Sequence, residues 1–486
     1  GPGGDRWRVH ADASTDGRRH GRPLAMSTTT NAAAGSPTTY RCEYAWVDGG
    51  IKRDVSIVVH DDRIVAVGAG GARGDHRELS GLVLPGFANA HSHAFHRAIR
   101  GRTHAEGGNF WTWREAMYRI AGVLDPDLYQ RLARAVFAEM VLSGITCVGE
   151  FHYLHHRPDG SPYDDPNAMG EALRAAARSA GLRLTLLDTC YLTGGLSASG
   201  PLPLLSEQRR FSDGSAQAWM KRVELLEDDD TTRIGAAVHS VRAVPRDDIT
   251  RIAEWTRTHS PVDGRPRPLH VHLSEQRAEN DDCQAAYRLS PTQVLEQASA
   301  LGRHSTVVHA THLNADDIAI LASSGSTACF CPTTERDLAD GIGPARALLD
   351  AGSPLAIGTD QHAVIDPLEE IRALEMHERL ISGERGRFTI AELITAGTAA
   401  GHRSLGWFDA GSIAVQARAD LVCLDLASVR TAGCTPEQAV LAATSADVTT
   451  VISGGRLIVE DGRHRTIDVA RELTEAIDEA WSRVRS

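Results

Sequence analysis

The sequence predicts an α/β protein: a (β/α)8 barrel with a small β-sandwich domain formed by both ends of the chain. The main observation is that eight apolar, strand-like runs alternate with segments of helical period between residues 86 and 401. The second is that short β-rich runs flank this region on both sides. One of the predicted barrel helices spans Asp281 to Ala300. The predicted barrel strands begin at Val83, Ile145, Leu184, Ile234, Leu269, Thr306, Thr327 and Leu355.

These patterns divide the chain into four parts. Residues 1–38 are rich in Gly, Arg, Ser, Thr and Ala without periodicity, so we expect a disordered segment. Residues 39–85 and 402–466 carry the short β runs of the sandwich, and residues 467–486 have the apolar spacing of a closing helix. Residues 86–401 form the predicted barrel. A doubly wound open sheet has the same local pattern and is the alternative.

The composition argues against nucleic acid and membranes as partners. The 486 residues include 51 basic and 63 acidic side chains, a formal net charge of −12. Such a chain, without a Lys/Arg-rich run, is poorly suited to bind nucleic acid or an anionic membrane. No apolar stretch reaches the roughly 18 residues that span a bilayer. The eight cysteines include no CxxC pair, so we expect buried thiols and a cytoplasmic location.

Two histidines follow the first predicted barrel strand. His91 and His93 are two residues apart, and residues at this spacing on a strand project to the same face. Both imidazoles can therefore reach one metal ion at the carboxyl end of the barrel, where sites of this fold are built. An HxH pair alone is also common among surface and core histidines, so it needs support from other strands.

The fifth predicted strand ends in a second pair of histidines with a carboxylate. His270 and His272 share one face of the strand, and Glu275 follows three residues after His272. A carboxylate beside a metal ion can move protons between water and a leaving group. An acidic residue is also favoured in the first turn of a helix, which is the structural alternative for Glu275.

The sixth and eighth predicted strands end in His309 and Asp360. Asp360 on its own fits a helix N-cap equally well. The order of these motifs along the chain favours a metal site over the structural alternatives. The candidate ligands fall at the ends of strands one, five, six and eight, on one rim of the barrel. Imidazoles and a carboxylate can bind a divalent ion, which lowers the pKa of a bound water toward about 7. The sequence therefore predicts a metal-dependent hydrolase.

This order of motifs resembles the amidohydrolase superfamily over nearly the whole chain, including the split β domain. The resemblance implies a barrel of the amidohydrolase type with a bound divalent ion. It implies that Glu275 is the proton shuttle, that His309 holds the activated water, and that Asp360 takes part in catalysis. The implied metal ligands are His91, His93, His272 and Asp360.

The positions of the lysines predict the number of metal ions. Two-metal members of such barrels use a modified lysine at a strand end as a bridge. The chain has only two lysines, Lys52 in the small β domain and Lys221 in a helical stretch before strand four. We therefore expect one ion, zinc in the first place, although iron(II) suits the same donors. Single-metal members that resemble this chain are mostly deaminases.

Longer segments are similar to one branch, the bacterial formimidoylglutamate deiminases of histidine degradation. The segments are His91-Ser-His-Ala-Phe, Phe110-Trp-Thr-Trp-Arg-Glu, Glu150-Phe-His-Tyr-Leu-His-His, His239-Ser-Val-Arg-Ala-Val, His272-Leu-Ser-Glu-Gln, His309-Ala-Thr-His and Cys331-Pro-Thr-Thr-Glu. The implied reaction is attack of water on the formimino carbon of N-formimino-L-glutamate, a small dicarboxylate, which gives N-formyl-L-glutamate and ammonia. The implied substrate contacts are Arg114, Tyr153, His239 and Arg242, and the arginine fork suits a carboxylate.

One position departs from that branch. His96 stands three residues after His93, where glutamine is common in the branch. This position should face the substrate, and a histidine there can still donate a hydrogen bond to a carboxylate. The alternative function is a single-metal deaminase that acts on another substrate, such as a purine base, in a pocket lined for an uncharged ring. The resemblance also implies a homodimer.

Overall fold

The computed structural model describes residues 36–70, 74–104, 110–259 and 264–485. These residues form two eight-stranded sheets, a two-stranded sheet, and helices that alternate with the strands of one of the two large sheets. The predicted disordered segment, residues 1–38, lies outside the described residues except for its last three.

The strands are numbered in chain order. They are β1 (Thr38–Val47), β2 (Gly50–His60), β3 (Arg63–Ala69), β4 (Arg77–Pro85), β5 (Phe87–Ser92), β6 (Ile145–His152), β7 (Arg183–Cys190), β8 (Gly195–Ser197), β9 (Gly200–Leu202), β10 (Thr232–Val238), β11 (Leu269–Leu273), β12 (Ser305–His309), β13 (Thr327–Phe330), β14 (Leu355–Ile357), β15 (Leu421–Leu424), β16 (Val448–Ser453), β17 (Arg456–Glu460) and β18 (Arg463–His464).

The helices are numbered in the same way. They are α1 (Phe110–Val123), α2 (Pro126–Leu142), α3 (Ala168–Ala180), α4 (Ala216–Val223), α5 (Arg246–Thr258), α6 (Arg277–Tyr287), α7 (Pro291–Gln297), α8 (Ala315–Ser324), α9 (Pro332–Asp337), α10 (Ala345–Ala351), α11 (Pro367–Ser382), α12 (Ile390–Thr395), α13 (Gly401–Ser404) and α14 (Val469–Arg485). A π-helical turn, Ala396–Ala400, joins α12 to α13. The 3-10 turns are Ala94–Ile99, Ser206–Phe211, Gln438–Leu441 and Ser445–Asp447.

Eight parallel strands form the barrel, in the order β5, β6, β7, β10, β11, β12, β13 and β14. The sheet closes where β14 meets β5. There Ser92 and Asp360 form a parallel bridge, and the amide of Thr359 donates to the carbonyl of His91 at 3.1 Å. This closure confirms the predicted barrel against the open-sheet alternative. In such a barrel the loops at the carboxyl ends of the strands build the site.

The first barrel strand begins at Phe87, so the predicted start at Val83 is wrong. Val83 belongs to β4 of the other sheet, where it pairs with Ala45 of β1. The apolar run is continuous in sequence, but Gly86 separates the two strands. A Cβ atom at Gly86 would lie 2.3 Å from Oγ1 of Thr146, so only glycine lets the chain pass this close to its neighbour.

The second large sheet joins both ends of the chain, in the order β18, β17, β16, β15, β4, β1, β2 and β3. Strand β4 is the link, because it pairs parallel with β1 and antiparallel with β15. The sheet buries its own apolar cluster, which includes Ile57, Ile64, Leu421 and Ile452. The prediction that the two flanks build one β structure is confirmed.

The predicted helix from Asp281 to Ala300 is two helices, α6 and α7. Arg288 ends α6 in the left-handed region with φ +57°. The hydroxyl of Ser290 then accepts from the amide of Gln293, and Pro291 occupies the first turn of α7. Serine followed by proline is a helix start signal, and it overrides the apolar spacing that runs through both helices.

A buried ion pair ties the barrel to the small sheet. Arg183 at the start of β7 donates to both carboxylate oxygens of Asp420, at 2.9 and 2.5 Å, and both side chains are at most 4% exposed. The guanidinium also lies over the ring of Trp407, 5.1 Å from its centre. Asp420 accepts from the amide of Gly454 as well, so its charge is fully compensated.

Two expectations from composition can be compared with the structure. All eight cysteines are free thiols, seven of them buried and Cys434 partly exposed, as predicted. Among the described helices, none combines the length and the apolar character that crossing a membrane requires.

Replacing Arg183 by Leu should lower the free energy of unfolding by about 3–5 kcal/mol, because Asp420 is left as an unpaired buried charge. Equilibrium urea unfolding followed by circular dichroism measures the change. The control is Arg41→Leu, which breaks an exposed pair with Asp54 and should leave the free energy of unfolding nearly unchanged. Equal effects of the two substitutions would contradict the assignment of Arg183 and Asp420 as the joint between the sheets.

Candidate metal centre and active site

Five predicted side chains meet at the carboxyl ends of the barrel strands. His91 lies on β5, His93 directly follows it, His272 lies on β11, His309 ends β12, and Asp360 follows β14. All five are buried, with at most 5% of their surface exposed. The barrel topology thus gathers side chains that are far apart in sequence.

Their ring nitrogens and the carboxylate converge on one point. The Nε2 atoms of His91 and His93 lie 3.2 and 3.3 Å from Oδ1 of Asp360. The Nε2 atom of His272 lies 3.1 Å from Nε2 of His91. Four residues offer ligand atoms that all lie within 4.8 Å of one another: His91, His272, His309 and Asp360. A single ion bound at this point would contact several of them at once.

The protonation states of these groups suit a cation. Burial lowers the pKa of His91 to about 3, despite the neighbouring Asp360, and lowers the pKa of His272 well below its usual value. Burial by itself raises the pKa of Asp360. The hydrogen bond with His91 and the attraction of the other imidazoles outweigh it and hold that pKa well below the usual range. Neutral imidazoles and an ionised carboxylate are the forms that bind a divalent metal.

The orientation of the rings also fits a metal. Nδ1 of His93 donates to the carbonyl of Phe151 at 3.0 Å, which turns Nε2 toward Asp360. The Nδ1 atoms of His91 and His272 are buried without a hydrogen-bond partner among the described residues. Two neutral Nε2 atoms 3.1 Å apart can share only one proton, whereas an ion satisfies both. Three imidazoles and one carboxylate are a donor set that zinc takes in proteins.

His309 is surrounded by carboxylates. Its Nε2 atom lies 4.0 Å from Oε1 of Glu275, and its Nδ1 atom lies 3.5 Å from Oε1 of Glu335. Burial lowers the pKa of His309, but Glu275, Glu335 and Asp360 outweigh burial and raise the pKa well above its usual value. His309 therefore holds a proton in this arrangement, which suits a hydrogen-bond donor beside the ion better than a fourth nitrogen ligand.

Three residues of this rim have backbone angles that favour glycine. His309 has φ +71°, Asp360 φ +43° and Ser274 φ +51°. Each such position costs on the order of 1–3 kcal/mol and persists only where the surrounding structure holds it. The carbonyl of Asp360, for example, accepts from the amide of His93 at 3.0 Å. The strain therefore lies at the same strand ends that carry the candidate site.

A cavity of about 660 Å³, part of it open to solvent, lies over the converging side chains. Its walls include His93, His272, His309, Asp360 and Glu275, while His91 is buried behind them. The five predicted substrate contacts also line it: His96, Arg114, Tyr153, His239 and Arg242. The structure thus brings all the predicted site residues to one place.

His96 lies beside the candidate metal ligand His93, on the 3-10 turn that follows β5. Its Nε2 atom lies 3.0 Å from the hydroxyl of Tyr153, and its Nδ1 atom is buried without a partner among the described residues. Burial and the neighbouring His93 lower the pKa of His96 well below its usual value, so the ring is neutral.

Trp113, which sequence reasoning did not assign to the site, lines the cavity and meets the His96 ring edge-on, with 5.1 Å between the ring centres.

The two arginines of the cavity lie on different walls. Arg242 follows β10 and donates through Nε to Oε2 of the buried Glu279 at 3.0 Å. Arg114 on α1 donates through Nε to the hydroxyl of Tyr118 at 2.9 Å. His239, at the end of β10, has Nδ1 3.3 Å from the hydroxyl of Ser240. Hydrogen bonds therefore fix the direction of both guanidinium groups.

Two carboxylates that sequence reasoning missed support the site. Glu335 accepts from the amide of Cys331 at 2.8 Å and lies against His309. It closes the Cys331-Pro-Thr-Thr-Glu motif, and that motif was the available signal. Glu279 accepts from Arg242 and from the amide of Ser274 at 3.1 Å. No local pattern separates Glu279 from an ordinary helix glutamate.

A second group of possible ligands is excluded as a metal centre. His152, His155 and Asp188 offer ligand atoms within 4.8 Å of one another. However, the carboxylate of Asp188 already accepts two bonds from Arg222 at 2.8 Å and one from the indole of Trp219 at 2.8 Å. A cation there would have to displace a buried guanidinium.

The lysines lie away from the cavity. Lys52 is on β2 of the small sheet and Lys221 is on α4, outside the barrel. Neither is among the residues that line the cavity over the candidate site.

Comparisons with known proteins agree with this arrangement. The model of the family described as "Amidohydrolase family" matches residues 82–458. The chain is 36% identical over 441 residues to formimidoylglutamate deiminase of Pseudomonas aeruginosa, covering 87% of this chain and 94% of that protein. It is 27% identical over 397 residues to 8-oxoguanine deaminase of the same species, covering 80% and 84%.

Solved structures show the same fold. An amidohydrolase from Brucella melitensis superposes with a TM-score of 0.84 at 30% identity, covering 91% of this chain and all of that one. A zinc-bound adenosine deaminase from Xanthomonas campestris superposes with a TM-score of 0.76 at 23% identity, covering 92% of this chain and 98% of that one.

Replacing His272 by Ala should remove bound metal, because one of the converging nitrogens is lost. The control is His270→Ala on the same strand, since His270 lies two residues away and bonds to the carbonyl of Ser404 at 3.1 Å rather than to the site. Metal content after gel filtration, measured by atomic emission, compares the two variants. Full metal content in the His272 variant would contradict the ligand assignment.

Proposed function

The chain belongs to the amidohydrolase family, and we propose that it is a metal-dependent deiminase that converts N-formimino-L-glutamate to N-formyl-L-glutamate and ammonia in histidine degradation. The observation that carries this proposal is a cavity lined by two arginines and by side chains that could hold a metal ion. The similarity to the deiminase of Pseudomonas aeruginosa supports the choice of substrate.

One divalent ion, zinc in the first place, would be held by His91, His93, His272 and Asp360. When bound, the ion polarises a water molecule and lowers its pKa toward about 7. The lack of a lysine near the described ligands supports a single ion, and the zinc in the Xanthomonas campestris neighbour supports the identity of the metal.

Three side chains of the rim handle the protons. Asp360 is held ionised and accepts a proton from the attacking water. His309, kept protonated by the surrounding carboxylates, donates a hydrogen bond to that water and keeps it in place. Glu275 faces the cavity and delivers a proton to the departing nitrogen. One water is consumed, the bond from carbon to the terminal nitrogen breaks, a carbonyl forms, and ammonia leaves.

The arginines suit the two carboxylates of the substrate. Arg242 donates to Glu279 through Nε, and its guanidinium carries further donors on the terminal nitrogens. Arg114 approaches from α1 on another wall. A net-negative chain needs such local cations to hold a dianion, and charge-assisted bonds to a carboxylate are among the strongest available. Tyr153 and His239 add hydrogen-bonding groups between them.

His96 takes a substrate contact in this proposal. If the hydroxyl of Tyr153 donates to Nε2, the neutral ring carries its proton on Nδ1, the buried atom without a described partner. An acceptor oxygen of the substrate would satisfy that donor. A histidine at this position is therefore compatible with an anionic substrate.

A purine-type deaminase is the second candidate. The aromatic side of the cavity favours it, because Tyr118 and Phe211 are stacked 6.2 Å apart and Tyr191 adjoins Phe211 at 5.5 Å. Such a wall suits a flat, uncharged ring. The similarity to 8-oxoguanine deaminase also supports a purine-type substrate, at 27% identity against 36% for the formimidoylglutamate deiminase.

The test is ammonia release by zinc-reconstituted protein from N-formimino-L-glutamate, in parallel with a panel of purine bases and nucleosides. A chelated sample is the control for metal dependence. The proposal expects chelator-sensitive release from the acyclic dianion and none from the purines. Release from a purine alone would replace the proposed substrate with the second candidate.

Replacing Glu275 by Gln should lower kcat by about 10²–10⁴-fold, because proton transfer to the leaving nitrogen is lost. Metal content should stay at the level of the unmodified protein. The control is Asp281→Asn, which changes an exposed carboxylate on α6. A Glu275 variant that keeps its full rate would remove the shuttle assignment.

Replacing Arg242 by Lys should raise KM for the dianionic substrate by about 10–100-fold, because a lysine keeps the charge but loses the fork. The control is Arg251→Lys, whose side chain is 49% exposed on α5. Steady-state kinetics of both variants give the KM values to be compared. An unchanged KM in the Arg242 variant would contradict its role in binding a carboxylate.

A further inference from the structure

A buried chain of hydrogen bonds runs along the line where the barrel closes, between β14 and β5. We call its members the seam chain: Asn89, Thr359, His362, Ser92 and Glu150. Their side chains are at most 1% exposed. None of them has a part in the proposed chemistry.

The first half of the seam chain crosses from β5 to the segment after β14. The amide of Asn89 donates through Nδ2 to Oγ1 of Thr359 at 2.7 Å, and its Oδ1 accepts from the amide of Thr359 at 3.0 Å. Oγ1 of Thr359 lies 2.9 Å from Nδ1 of His362. Asn89 therefore fixes both the backbone and the hydroxyl of Thr359.

The second half returns to β5 and ends on β6. Nε2 of His362 lies 3.2 Å from Oγ of Ser92, and that hydroxyl donates to Oε2 of Glu150 at 2.5 Å. Oε1 of Glu150 accepts from the amide of Ala94 at 2.7 Å. Tyr129 also hydrogen-bonds to this carboxylate.

The bonds of the seam chain can all run in one direction. Asn89 donates to Thr359, whose hydroxyl donates to His362. The other nitrogen of His362 donates to Ser92, whose hydroxyl donates to Glu150. Both oxygens of Glu150 act as acceptors, Oε2 for the hydroxyl of Ser92 and Oε1 for the amide of Ala94, so the chain of donors ends at Glu150.

The seam chain alternates with candidate metal ligands along the backbone. Ser92 lies between His91 and His93, and Asp360 directly follows Thr359. Three backbone hydrogen bonds also cross the seam here: the amides of Thr359 and Asp360 donate to the carbonyl of His91, and the amide of His93 donates to the carbonyl of Asp360. The side chains of the seam chain add to these bonds at the positions next to three of the four candidate ligands.

We propose that the seam chain, ending at Glu150, positions His91, His93 and Asp360 for metal binding. Its members are positioning residues that act through the backbone of the ligands. The inference rests on the metal-binding part of the proposed function and adds the residues on which the affinity for the ion depends. Partners one step removed from a metal ligand typically change affinity by about 10–100-fold when they are lost.

The test compares Thr359→Val, which removes the hydroxyl at constant shape, with Thr359→Ser, which keeps it. Glu150→Gln is the second variant, because it replaces one of the two accepting oxygens by an amide donor at the other end of the chain. The control is Thr185→Val on β7, where a buried hydroxyl donates to the carbonyl of Leu405 at 2.7 Å, outside the seam chain. The folded state of each protein is checked by circular dichroism.

The readout is the zinc dissociation constant from competition with a chromophoric chelator, together with the absorption spectrum of the cobalt(II)-substituted protein. We expect the constant to rise about 10–100-fold for Thr359→Val and Glu150→Gln. Thr359→Ser and Thr185→Val should stay near the unmodified value, and the cobalt spectrum should change only in the first two.

Two results would overturn the inference separately from the proposed function. Unmodified protein that binds zinc tightly, together with Thr359→Val and Glu150→Gln variants of equal affinity and spectrum, overturns the seam chain alone. A loss of affinity in Thr185→Val as large as in Thr359→Val also overturns it, because the effect would then follow any buried hydroxyl. Unmodified protein that binds no zinc overturns the proposed function and this inference with it.

Discussion

The structure depends on the crowding of three buried imidazoles against one carboxylate at the rim of a closed barrel. Atoms of His91, His93, His272 and Asp360 approach to 3.1–3.3 Å with almost no access to water. Burying such groups without partners is unfavourable. In the proposed function, a divalent ion would give these groups coordinate bonds, so the same arrangement would serve both stability and chemistry.

Around the cluster, the protein supports each group with a partner that has no role in the reaction itself. The carbonyl of Phe151 orients His93, Glu335 lies against His309, and Glu279 directs Arg242. Phe151 lies on β6, whereas Glu335 lies on α9 and Glu279 on α6, and the closed barrel brings them to one rim. The strained backbone at His309 and Asp360 indicates that this geometry is imposed by the fold rather than by local preference.

Much of this could be predicted from the sequence, for identifiable physical reasons. The barrel and its ligands follow from local patterns, because apolar runs end in histidine or aspartate in chain order. The predicted start of the first barrel strand, at Val83, was wrong because one apolar run continues from the small sheet into the barrel across Gly86. Glu150 and Glu279 escaped prediction because their roles are long-range: Glu150 bonds to Ser92, 58 positions away, and Glu279 to Arg242, 37 positions away.

In the proposed function, hydrolysis of a C–N bond requires one divalent ion in this cluster. The most direct measurement is a titration of chelator-stripped protein with zinc, following ammonia release from N-formimino-L-glutamate against metal bound per chain. We expect the rate of ammonia release to rise in proportion to bound zinc and to level off at one equivalent of zinc per chain. Activity that persists without metal, or that appears only as a second equivalent binds, would contradict it.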